Sequence, residues 1–158
     1  MSVTIKTDKK LQAMLDAILK QNYEIQLGVL SSPDSTNSVS GNAQKTNKMK
    51  KTKSNKTVAE VAAIHEFGRG VTQRSFLFST VAERKEKWTE QLKKLMKNVT
   101  SEADYVEKIK LLAIKMQSDV RRKFTNNDWA PVKRGGTPLV DSGQLRRAIS
   151  WSVKKGSK

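Results

Sequence analysis

The sequence predicts an α+β fold in which a small mixed or antiparallel sheet packs against an N-terminal helix and a long antiparallel helix hairpin, with a long basic loop inserted. Three observations lead there. Tyr23, Ile25, Leu27 and Val29 alternate with Glu24, Gln26 and Gly28, the two-residue period of a strand with one buried face. Phe78, Val81, Trp88, Leu92, Leu95 and Val99, and then Val106, Ile109, Ala113, Met116, Val120 and Phe124, recur mainly at threes and fours, the stripes of two long amphipathic helices. Strands and helices also follow one another without the regular alternation of a doubly wound parallel sheet.

Taken in chain order, residues 2–5 suit a short strand, and Leu11, Met14, Leu15, Ile18 and Leu19 form the apolar face of a first helix. After the strand at 23–29 the composition turns to Ser, Asn, Thr and Lys. Over 32–57 only Val39, Ala43 and Met49 are apolar, too few to offset the entropy of ordering the segment. It reads as a loop or arm carrying Lys45, Lys48, Lys50, Lys51, Lys53 and Lys56. Folded back on itself it would reach roughly 40 Å. Thr57 and Glu60 have the spacing of a capping box, so a helix is expected to start at Thr57, carry Val58, Val61 and Ala62, and stop at Gly68. A turn over 98–101, with Ser101 and Asp104 as caps, folds the two long helices into a hairpin. Trp129, Ala130 and Pro131 break the helical pattern, and 133–136 is a basic loop with glycines. Asp141 and Gln144 are placed to cap a helical turn holding Leu145, and Ile149, Trp151 and Val153 alternate with Ser150 and Ser152 in a last strand. A strand near each end of the chain is suited to adding to a neighbour's sheet.

At 158 residues the chain is sized for one domain, 1–158, with 32–57 as an arm within it and 154–158 as a basic tail. Its 31 Lys and Arg against 15 Asp and Glu give a net charge of +16, which favours anionic partners and opposes non-specific self-association. The lack of cysteine excludes disulfides and thiolate metal sites. No apolar run reaches membrane length, and residues 1–20 lack an apolar signal core, so a protein made and kept in a reducing cytoplasm is expected.

Candidate chemistry is sparse. His65 is the only histidine and stands beside Glu66, but a zinc site takes three or more converging ligands, and Arg69 occupies the position of a helical partner four residues on. A capping or packing role at the helix end is expected for His65. Asp141 and Ser142 have the spacing of a cap, with no second histidine to complete a nucleophile. Gly135, Gly136 and Thr137 lack the rest of a phosphate loop and read as a turn. No catalytic, cofactor-binding or metal-binding residue is assigned. Trp88 and Trp151 fall on apolar stripes and belong to the core, whereas Trp129, in a loop, is a candidate for contact with a neighbour. Arg121, Arg122 and Lys123, Lys133 and Arg134, Arg146 and Arg147, and Lys154 and Lys155 are opposed from residue 121 onward only by Asp128 and Asp141. Such a field suits a DNA backbone bound without base readout, or an acidic partner.

The block Ala62-Ala63-Ile64-His65-Glu66-Phe67-Gly68 is followed by Arg74-Ser75-Phe76-Leu77, and the later block Thr137-Pro138-Leu139-Val140-Asp141-Ser142-Gly143-Gln144-Leu145-Arg146 is preceded by Trp129-Ala130-Pro131. In this order and spacing, over residues 58–153, the chain resembles the virion-morphogenesis and tail-completion family of tailed bacteriophages, which includes head-tail joining and neck proteins. The positions that carry the likeness are His65, Glu66, Phe67, Gly68, Arg74, Phe76, Leu77, Trp129, Asp141, Gly143 and Leu145. Two features depart from the family pattern: Ser75 stands where proline is common, and the lysine-rich segment 32–57 is long. The resemblance implies an α+β subunit without catalytic residues or cofactor, assembled as a ring of six or twelve copies between portal-connector and tail. Its neighbours would be connector, tail-terminator or tail-tube proteins and, non-specifically, genomic DNA, with no membrane involved. It would be made in the host cytoplasm and end in the neck of the virion. Charge alone supports a different reading, a stand-alone basic nucleic-acid-binding protein. A third, a hydrolase using His65 and Glu66, lacks the further groups such chemistry needs.

Overall fold

The computed structural model of the chain describes residues 23–30, 38–41, 57–126, 129 and 143–156, and the fold is α+β, a small antiparallel sheet against helices. β1 (Tyr23–Val29) and β3 (Ile149–Lys155) pair with Ile25 opposite Val153, Leu27 opposite Trp151 and Val29 opposite Ile149. The alternation in β1 thus meets the alternation in β3 on one face, and a slip of one residue would turn the whole apolar set outward. β2 (Ser38–Gly41) pairs antiparallel with the other edge of β3, giving the order β1-β3-β2.

Two expectations change here. Residues 38–41, read as part of a loop or arm, form a strand; ladder pairing uses backbone N–H and C=O groups, so a Ser-rich composition does not announce it. β3, read as a strand able to add to a neighbour's sheet, is paired on both edges. Its Ser150 and Ser152 are buried along with Ile149, Trp151 and Val153, as suits a central strand. The expected strand at 2–5, the first helix with Leu11 and Leu19, and the stretch from Lys133 to Ser142 lie outside the described residues.

α1 (Val58–Phe67) begins with the expected capping box: the Glu60 N–H donates to Thr57 Oγ1 at 3.2 Å and the Thr57 N–H to Glu60 Oε2 at 2.6 Å. It ends at Gly68, whose left-handed backbone (φ 67°) returns its N–H to the Ile64 carbonyl. A Cβ there would also stand 2.9 Å from Gln73 Cβ, so the turn requires glycine twice over.

α2 (Leu77–Met96) and α3 (Glu102–Asn126) form the hairpin, joined by the short turn that Ser101 and Asp104 cap. Trp88 Nε1 donates to the buried Asp119 Oδ2 at 2.9 Å, and Lys123 pairs with Glu83 at 2.6 Å. The buried face of α2 is offset from the expected stripe. Thr80 and Trp88 face inward, while Phe78 and Val81 are exposed. Thr80 tolerates burial because its hydroxyl donates to the Phe76 carbonyl at 2.6 Å. On α3 the expected Ile109, Ala113, Val120 and Phe124 are buried, joined by Leu112, Gln117 and Asp119.

One apolar cluster sets Ile109 and Ala113 of α3 against Trp151 and Val153 of the sheet. A second joins Ala62, Phe76, Val120, Phe124 and Ile149 to Leu145 of α4 (Gln144–Ala148). Trp129 lies against this second cluster, its ring edge-on to Phe124 at 5.9 Å, so it packs on its own chain's core rather than standing out for a neighbour. α4 has Gly143 (φ 64°) as its N-cap and no side-chain cap, so Gln144 is its first residue rather than a capping group; Asp141 is outside the described residues.

Candidate functional site

The first block and the Arg74-Ser75-Phe76-Leu77 segment form one knot between α1 and α2. α2 has no acidic residue in its first turn, and its own N-cap residue, Phe76, makes no side-chain cap. Glu66, ten residues upstream and 5% exposed, supplies the cap. Its Oε2 accepts the N–H groups of Phe76 (2.9 Å) and Leu77 (3.1 Å), and its Oε1 accepts the Phe78 N–H (2.9 Å) and the Ser75 hydroxyl (2.6 Å). A carboxylate at the positive end of a helix satisfies donors that would otherwise be orphaned and gains from the macrodipole. Ser75 also accepts the Ser79 N–H at 3.1 Å, so Ser75 takes part in starting the helix. Gln73 ties the turn back by donating to the Glu66 carbonyl at 3.0 Å, and the Arg74 N–H donates to the His65 carbonyl at 2.8 Å.

His65 packs beside this knot rather than capping through its side chain. Its Nδ1 is shut from solvent without a hydrogen-bond partner, as is Nε of the buried Arg74. Burial, and then the positive charge of Arg74, hold the imidazole pKa below its ordinary 6.5. The hydrogen bonds of the Glu66 carboxylate go to the start of α2 and none goes to His65, so the two do not form an acid–base pair. Among the described residues no group of three or more histidines and carboxylates is placed to hold a metal ion.

The knot turns apolar groups outward. Phe67 (54% exposed) and Phe78 (60% exposed) meet with ring centroids 6.0 Å apart, Arg69 lies over the Phe67 ring at 5.7 Å, and Val71 and Val81 are exposed as well. A second exposed apolar pair, Leu111 and Ile114, lies one turn apart on α3. Sequence reasoning missed both, because Phe78 and Val81 mimic a core stripe and Leu111 and Ile114 sit within an apolar run.

The basic residues read as one field are divided by the fold. Arg121 and Arg122 of α3 and Arg146 of α4 line one open groove of about 460 Å³, with Ile114, Gln117, Ser118 and Thr125, and none of these described lining residues is acidic. Arg121 is anchored there by donating to the Ile149 carbonyl at 2.8 Å and more weakly to that of Arg147 at 3.4 Å. Burial, and then the neighbouring Arg146, lower its pKa. Lys123 is turned to Glu83, and Lys155 pairs with Glu102 at 3.2 Å near the opposite end of α3, roughly 30 Å from Arg122 at helical rise. Lys154 follows β3 to that same end, away from the groove. Arg147 is exposed on α4. Lys45, Lys48, Lys50, Lys51, Lys53, Lys56, Lys133 and Arg134 lie outside the described residues.

The later block reaches the same core as the first: Leu145 shares its apolar cluster with Phe76, with Leu77 and Trp129 packed alongside. Compared with family models, with curated proteins and with solved structures, the chain matches none.

Proposed function

We propose that this chain is a structural subunit of the head-tail junction of a tailed bacteriophage, assembling head to tail into a ring of six or twelve copies between portal-connector and tail. The observation that carries the reading is the knot around Glu66. The motif residues His65, Glu66, Gly68, Arg74, Phe76 and Leu77 are occupied in holding α1 against α2, and the result is a rigid display of Phe67 and Phe78 to solvent. An exposed aromatic pair on a chain of charge +16 is an interaction surface, since scattered apolar side chains on a soluble protein rarely cluster in this way. A ring made by head-to-tail contacts requires two different patches per subunit, and the reading assigns that part to the exposed Phe67–Phe78 cluster and Leu111–Ile114 pair. In this reading Glu66 is a positioning residue, and the partners are further copies of the chain and the connector and tail proteins above and below.

Quantitative mass spectrometry of purified virions tests it. The chain is expected in mature particles at a copy number that is six or twelve per virion, and absence from mature particles would overturn the proposal. The alternative of a stand-alone nucleic-acid-binding protein is favoured by one observation, the arginine-lined groove; it would leave the chain monomeric and outside the particle.

A further inference from the structure

We propose that the groove between α3 and α4 is a binding site for the backbone phosphates of duplex DNA. Gln117, Ser118, Arg121, Arg122 and Thr125 fall on one stripe of α3, and Arg146 faces them from α4. From Gln117 to Thr125 the stripe is about 12 Å long at helical rise, enough to span neighbouring phosphates of one strand. Three guanidinium groups supply fork-shaped donors that match phosphate oxygens, and the Ser118 and Thr125 hydroxyls add shorter ones. Among the described residues no acidic side chain lines this groove, whereas Lys108, Lys123 and Lys155 elsewhere on the surface are each held by a carboxylate.

Arg121 is fixed before any ligand arrives. Its bond to the Ile149 carbonyl, shared with Gln117, holds the guanidinium at the floor of the groove, while its Nε has no partner. An anion drawn between Arg121 and Arg146 relieves the repulsion of two like charges held close by the fold. None of the described lining residues is aromatic, so they offer no stacking platform of the kind on which single strands are bound. Charge, length and the absence of stacking groups favour the backbone of a duplex, bound without sequence preference. The inference names the partner of the basic surface in the proposed ring, and rests on that reading only for the DNA being a genome in transit. Binding itself is a property of the single chain.

The test is the affinity of the full chain for short duplexes of two unrelated sequences, measured as a function of salt. The groove variant is Arg122→Gln with Arg146→Gln, both exposed; a charge-matched control is Lys93→Gln with Lys97→Gln, exposed near the hairpin tip. The groove variant is expected to lose about tenfold in affinity for both duplexes and to show a log–log salt slope shallower by about two, with the control changing far less. Equal losses in the two variants would overturn the proposal, reducing the groove to part of a diffuse charge. So would a groove variant that keeps wild-type DNA affinity but loses binding to polyglutamate, which would assign the groove to an acidic protein. Tight binding of inorganic phosphate without any binding of duplex would overturn it too. Native mass of the same variants separates this from ring formation: an intact ring with no groove effect rejects the groove alone.

Discussion

A single carboxylate, Glu66, sets the geometry at the motif. It ends one helix and begins the next, and its four acceptor contacts replace a cap that α2 does not carry locally. Replacing Glu66 with Ala leaves three backbone N–H groups near the core without partners, and a loss of about 3 kcal/mol is expected. Urea unfolding should show this as a lower midpoint at unchanged slope. Ser75→Ala removes one of these contacts and should cost about 1 kcal/mol. His65 adds a pH dependence of known sign. Its folded pKa lies below 6.5, so the unfolded chain binds more protons in the window just below 6.5. Its contribution is therefore complete above about pH 6.5 and is lost as pH falls through the folded value. A His65→Gln variant should flatten the stability profile in the window just below pH 6.5 relative to wild type, measured by urea midpoints. These residue-level roles were only partly visible beforehand. A capping or packing role for His65 followed from its place at a helix end, and only packing holds, but the reach of Glu66 across ten residues depends on how tightly Gly68 turns the chain, which spacing alone does not reveal.

At the scale of elements, local signals were legible and non-local ones were not. The Thr57–Glu60 box, the Gly68 stop, the turn before Ser101 and the alternation within β1 and within β3 all followed from short-range pattern, because each is set by neighbours a few residues away, whereas the pairing of β1 with β3 joins residues more than a hundred positions apart. β2 was missed because a backbone ladder formed by Ser38–Gly41 leaves no hydrophobic period. The face of α2 was displaced by one residue at its start because Phe78 and Val81 are apolar for a surface and Thr80 is polar for a core. The hairpin's inner contact shows the same limit: Trp88 was placed in the core, but its partner Asp119, 31 residues on, carries no mark in the sequence. Asp119→Ala strands the Trp88 N–H in the interior and should cost about 2 kcal/mol. With Trp88→Phe already in place the same change should cost less, a coupling that a double-mutant cycle on urea midpoints measures. Equal costs in both backgrounds would mean that the bond does not contribute to joining the helices.

For the whole molecule, the fold sorts the described part of a strongly basic chain into surfaces of different chemistry. Lys155 at the end of β3 pairs with Glu102 and Lys123 of the hairpin with Glu83, Arg121, Arg122 and Arg146 line one groove in which no described lining residue is acidic, and the Phe67–Phe78 pair lies on the turn between α1 and α2. The excess of charge was plain in the composition. Its division was not, because it depends on which face of α3 each residue occupies once the helix is docked on the sheet. The central claim is that two different apolar patches join copies of this chain head to tail. Native mass spectrometry of the wild type, of Phe67→Ser with Phe78→Ser, of Leu111→Ser with Ile114→Ser, and of a mixture of the two variants tests it directly. The wild type is expected at six or twelve times the 17.7 kDa of one chain, each variant alone as monomer, and the mixture as a dimer with one copy of each, since a single complementary pair of patches survives in it. A wild type that stays at 17.7 kDa at its highest soluble concentration, or variants that form the same ring as the wild type, would contradict it.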